Sequence, residues 1–109
     1  MSRAGGKQAQ LESTGEAGRF QLSGDLSFET VPGLWAEAER LFRGSGDVEL
    51  DLGAVARTDS AGLALLVALT RRAAQHDQAI RFCHFPEQLR AMARLSGLAD
   101  FLQLAPEKA

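Results

Sequence analysis

The stretch Asp51-Leu52-Gly53-Ala54-Val55-Ala56-Arg57-Thr58-Asp59-Ser60-Ala61-Gly62-Leu63-Ala64-Leu65-Leu66 contains the change of period that decides the fold. Leading into it, Val48-Glu49-Leu50-Asp51-Leu52 alternates apolar and charged side chains, the pattern of a strand with one buried face. Leading out of it, Leu63, Leu66, Val67 and Ala74 recur at helical spacing, and Leu65, Ala68 and Leu69 fill an adjoining arc. The sequence therefore predicts a central strand, a Gly53-containing loop up to Asp59, and a helix from Ser60 to about Gln75. Backbone amides at the start of that helix lack partners and can receive a side-chain oxygen or an anion, so Asp59-Ser60 reads first as a cap. Gly62 either admits a close backbone approach or is a tolerated helix glycine costing about 1 kcal/mol relative to Ala.

Toward the N-terminus, Gln10 to Ser13 is a candidate edge strand and Gly15-Glu16-Ala17-Gly18 a turn. Arg19-Phe20-Gln21-Leu22-Ser23 alternates again, giving the second arm of a hairpin that Gly24-Asp25-Leu26-Ser27 breaks. Thr30 is placed to cap a helix over Val31 to Phe42, with Pro32 early in it, where a missing amide hydrogen is harmless. Its apolar positions Val31, Leu34, Trp35, Ala38, Leu41 and Phe42 share one face, and Gly44-Ser45-Gly46 ends it. Toward the C-terminus, Ile80 to Phe85 is a short strand, Pro86 opens a last helix to about Leu95 or Ser96, and Gly97 stops it. The order β-β-α-β-α-β-α makes the class α/β, a mixed sheet with right-handed crossovers.

A chain of 109 residues has room for one domain. Residues 1–8 read as a flexible leader, 9–104 as the domain and 105–109 as a flexible tail. A net charge of -2 supplies none of the clustered cation that nucleic-acid binding draws on. The leader has no apolar export segment, and the stretch Ala61 to Leu69 is far short of the roughly 20 residues that span a bilayer, so direct membrane insertion is not expected. One cysteine, Cys83, excludes an internal disulfide and is expected as a buried, reduced thiol, which fits a cytoplasmic location.

The inventory for catalysis is thin. His76 and His84 fall in a helix–strand linker and at a strand end, with no metal or nucleophile spacing. Gly44-Ser45-Gly46 and Gly5-Gly6 lack the lysine and spaced glycines of a phosphate loop. Glu37 and Glu39, two apart on a helix, point to different sides and are expected in solvent. No catalytic residue, metal site or cofactor is expected. The apolar density of the Ser60 helix exceeds what one sheet covers: either neighbouring helices sandwich it, or the surplus arc near Ser60 is a partner-binding face.

A strand, a loop, Asp-Ser-x-Gly-Leu and then an apolar helix resembles the STAS domains, a family that includes bacterial anti-sigma-factor antagonists and the cytoplasmic tails of sulfate transporters. The likeness runs from about Gln10 to Leu104 and takes in Leu22-Ser23-Gly24-Asp25-Leu26 and Leu95-Ser96-Gly97-Leu98. Within the family, Asp59 to Leu66 and Leu34-Trp35 are most similar to the MlaB-like branch, the STAS subunit of a bacterial phospholipid ABC transporter that maintains outer-membrane lipid asymmetry. The resemblance implies a STAS-like mixed sheet packed against helices. It also implies a non-catalytic subunit, peripheral to the inner membrane, that contacts the transporter ATPase subunit beside a membrane permease. It makes Ser60 the partner-binding or phosphorylatable residue, supported by Asp59, Ala61, Gly62, Leu63 and Leu65. In anti-sigma-factor antagonists the same serine is phosphorylated by a partner kinase, so an anti-sigma factor kinase is the alternative partner. Ala61 stands where many of those antagonists carry a second hydroxyl.

Overall fold

The computed structural model describes residues 8–104. Apart from Gln8, the expected leader lies outside the described residues, as does the tail at 105–109. Four strands and three helices follow in the expected order: β1 (Gln10–Ser13), β2 (Arg19–Leu26), α1 (Val31–Phe42), β3 (Val48–Thr58), α2 (Ser60–Gln75), β4 (Ile80–Cys83) and α3 (Glu87–Leu95). The sheet order is β1-β2-β3-β4, with β1 antiparallel to β2 and the other neighbours parallel. The sheet is mixed, β1 and β2 form the opening hairpin, and β3 is central, as the alternation implied.

The period-2 pattern sorts the two faces of the sheet. Phe20, Leu22, Val48, Leu50, Leu52 and Ile80 are buried, and they pack with Leu34, Ala38 and Phe42 of α1 and Leu66, Leu69 and Ala73 of α2. The Phe20 and Phe42 rings meet at 4.9 Å, tilted by 60°. On the other face, Arg19, Gln21, Glu49, Asp51 and Arg81 are exposed or half-buried. One face is thus helix-covered and apolar, the other open and polar.

Three boundaries differ from the sequence expectation. Gly24 does not break β2, which runs on to Leu26. Its φ of 88° accompanies register shifts against β3, and a Cβ there would lie 2.1 Å from the Gln8 carbonyl oxygen, so the glycine lets the backbone leading into β1 pass close by. β3 likewise continues through Gly53 to Thr58, with Gly24 paired to Val55 and Leu26 to Thr58. β4 is shorter than expected and stops at Cys83, because His84 turns into the left-handed region at φ 55°.

Four side-chain expectations also change. Thr30 makes no cap on α1. Its hydroxyl instead accepts from the Ser27 amide at 3.0 Å and donates to the Asp25 carbonyl at 2.8 Å, stapling the loop between β2 and α1. Cys83 is half-buried on the open face rather than buried. Glu37 and Glu39 are only partly in solvent; Glu37 pairs with Arg40, and Glu39 lies 3.6 Å from the buried Arg72 guanidinium. Arg72 in turn donates to Gln78, whose amide nitrogen reaches the Phe42 and Gly46 carbonyls and ties the end of α2 to the end of α1.

α2 is sandwiched. It touches α1 and α3 and rests on β3 and β4. Leu63, Leu65, Leu66 and Leu69 are all 6% exposed or less. Of the two readings of its apolar density, burial by neighbours is the one the fold adopts, and the arc containing Leu63 and Leu65 is core. Among the described residues, no helix is long and apolar enough to cross a membrane.

Candidate functional site

The β3–α2 junction is built by Asp59. Extended at φ -144° and ψ -171°, it directs its side chain over the first turn of α2. Oδ1 accepts from the Ala61 amide at 2.9 Å and the Gly62 amide at 3.2 Å, filling two of the sites a helix start leaves open. Oδ2 accepts from the Phe28 amide at 3.2 Å, across 31 residues of sequence. One carboxylate therefore caps α2 and ties down the β2–α1 loop.

Gly62 sets how closely these pieces approach. A Cβ at this position would sit 2.5 Å from the Leu26 carbonyl oxygen and 2.7 Å from the Thr58 hydroxyl. The close-approach reading of Gly62 is the correct one, and its absent side chain lets the first turn of α2 lie on the ends of β2 and β3.

Ser60 is exposed at the first helical position, and the cap belongs entirely to Asp59. The serine hydroxyl is thus spared from holding the helix. Ala61 is half-buried beside it, and Ala64, one turn on, is exposed. Leu63 and Leu65 point into the core, so they support the site from beneath rather than face outward.

Phe28 was not singled out in the sequence. It is 77% exposed, on the loop held by Thr30 and by Asp59. A lone phenylalanine between Ser27 and Glu29 belongs to no periodic pattern, and only the pairing of the β2 end with the β3 end brings it to Asp59. The site is therefore a small platform: a free hydroxyl, small helix side chains and one projecting ring. Neither histidine joins it; His76 caps the far end of α2 and His84 follows β4.

A groove of about 510 Å³ lies elsewhere, between β1 and α1, lined in part by Leu11, Glu12, Glu29, Leu34 and Glu37. Three carboxylates give it the wrong sign for a phosphate-bearing ligand.

The sequence profile of the family described as "Mlab, STAS domain" matches residues 9–104. A search of curated proteins gives no match. Among solved structures, the anti-sigma factor antagonist SpoIIAA in its unphosphorylated form aligns with a TM-score of 0.61, over 89% of this chain and 99% of that one, at 14% sequence identity. At that identity the likeness is one of fold.

Proposed function

The chain belongs to the STAS-domain family, and from that membership we propose that it is a non-catalytic docking subunit whose Ser60 end binds the ATPase of a phospholipid ABC transporter and stabilises or regulates it. In this role it stands at the cytoplasmic face of the inner membrane, held there through its partner and the associated permease. The observation that carries the reading is the division of labour at the junction: Asp59 does the capping, which leaves Ser60 exposed, and its second carboxylate oxygen ties down the backbone of the exposed Phe28. Burying a phenylalanine side chain contributes about 1.5–3 kcal/mol, and a loop whose backbone is already tied to Asp59 has less freedom to lose on docking. Asp59, Ala61 and Gly62 shape the platform, and Leu63 and Leu65 hold its helix in place.

The same serine could instead receive a phosphate from an anti-sigma factor kinase. The helix-end amides that would stabilise such a group already bind the Asp59 carboxylate, and that carboxylate would repel it. Docking is the better fit to this arrangement.

Two variants test it. Ser60→Arg and Phe28→Asp change exposed side chains, so the fold is expected to survive with stability within about 0.5 kcal/mol of wild type. Co-purification with the ATPase is expected to be lost in both. Retention by both would sink the docking reading. Incubation with a kinase partner and ATP, followed by intact-mass measurement, reports the alternative as a gain of one phosphate.

A further inference from the structure

Asp51, Cys83 and His84 carry no motif spacing, yet the fold gathers them on the open face of the sheet. The parallel register of β3 and β4 sets Asp51 opposite Cys83. His84, at φ 55°, turns back over the sheet so that its Nδ1 lies 3.0 Å from Asp51 Oδ1. One ligand atom from each of the three residues falls within 4.8 Å of the others.

Gly53 eases this convergence. A Cβ there would lie 3.1 Å from Asp51 Oδ1 and 3.3 Å from the His84 Cβ, so the imidazole approaches over a position with no side chain. The Gly53 amide donates to Asp51 Oδ1 at 2.8 Å and fixes the carboxylate. Beside the cluster, a recess of about 230 Å³ reaches Glu49, Asp51 and Cys83 and gives a path from solvent.

We propose that Asp51, Cys83 and His84 form a three-ligand binding site for a zinc-class divalent cation, with solvent in the fourth position. The ligand set of thiolate, imidazole and carboxylate is the one zinc accepts, whereas magnesium and calcium take oxygen donors. Bonds of about 2.0–2.1 Å at near-tetrahedral angles place nitrogen and oxygen ligands about 3.3–3.4 Å apart, a few tenths of an ångström wider than the His84–Asp51 separation of 3.0 Å. Sulfur has to stand about 3.6 Å from its fellow ligands, so the three ligand atoms, now within 4.8 Å of one another, draw in on binding. On binding, the ion replaces the hydrogen between Asp51 and His84, the imidazole carries its proton on Nε2, and the thiol releases its proton to solvent. The carboxylate and thiolate together balance the charge of the ion. Burial and then the neighbouring Glu49 carboxylate push the Cys83 thiol above its ordinary value, and the ion has to displace that proton.

The test uses the tag-free full chain, stripped of metal with a chelator and titrated with cobalt, then with zinc against a chromophoric competitor. One equivalent of cobalt is expected to give a thiolate-to-metal charge-transfer band. Cys83→Ala and His84→Ala are each expected to weaken zinc binding about tenfold or more, and His76→Ala to leave it unchanged. Absence of the thiolate band, or wild-type affinity in both variants, overturns the site. A second measurement needs no substitution: Cys83 is the single cysteine, so its alkylation by iodoacetamide reports this thiol alone. Zinc, and not magnesium, is expected to slow that reaction about tenfold; an unchanged rate overturns the proposal equally.

Discussion

Replacing Gly62 by alanine tests whether the junction depends on close approach. The added Cβ would stand 2.5 Å from the Leu26 carbonyl oxygen, 2.7 Å from Thr58 Oγ1 and 2.8 Å from Leu26 Cγ. Ordinary contact begins about 1 Å further out. The Thr58 hydroxyl and the Leu26 side chain can rotate aside, but the Leu26 carbonyl belongs to a strand paired with Thr58, so α2 has to lift or β2 has to bend. Overpacking of this kind costs about 1–3 kcal/mol, and alanine returns about 1 kcal/mol of helix propensity. With backbone as the obstacle the cost lies in the upper part of its range, leaving about 1–2 kcal/mol of net destabilisation. For a domain of this size that is a fall of about 5–15 °C in Tm. Gly33→Ala in α1 is the matched control, since a Cβ there meets nothing within 4 Å. That variant is expected to gain about 0.4–1 kcal/mol. Thermal unfolding followed by circular dichroism compares all three proteins. A Gly62→Ala protein that gains stability as Gly33→Ala does would refute the packing argument, because helix propensity alone would then account for the residue.

Two further outcomes follow from the same geometry. Asp59→Ala removes the acceptor of three backbone hydrogen bonds and is expected to cost about 1–2 kcal/mol in urea unfolding; a loss no larger than that of a neutral surface change would show the cap to be unimportant. Asp51 is held below its usual carboxyl value of 3.8, chiefly by the Gly53 amide and further by His84, with burial opposing them. A carboxyl depressed in the folded state contributes stability that is present above its unfolded value and lost as pH falls through the folded one. Wild type is therefore expected to lose more stability than Asp51→Asn between about pH 5 and pH 2, read from urea midpoints, and equal losses would contradict it.

The elements of the fold were legible because each carries its own period. Val48 to Leu52 alternates, Leu63 to Ala74 repeats at helical spacing, and proline and glycine mark the ends of α1 and α3. Where strands end was less legible. Gly24 and Gly53 read as breaks, yet β2 and β3 pair past both, because a glycine in a strand can bend it without ending it. The Asp59-Ser60-Ala61-Gly62 junction stood out as a motif, but the sequence left undecided which of the first two residues caps. The apolar surplus of α2 was countable in the sequence, whereas its burial depends on α1 and α3, which counting does not see. Phe28 and the trio of Asp51, Cys83 and His84 owe their positions to pairing between distant strands. No local pattern records that pairing.

β3 also imposes a constraint of phase. Alternate residues Val48, Leu50 and Leu52 fill the core, while Glu49 and Asp51 between them face solvent, and the same strand ends one residue before the Asp59 cap. Inserting or deleting a single residue between Val48 and Leu52 would turn the remaining leucines to water, bring carboxylates under the helices and displace the cap in one stroke. Lengthening the Gly15–Gly18 turn by one residue would do none of these things. The central strand is thus the segment of this protein least able to vary in length, and substitutions there are the only change of sequence it can absorb.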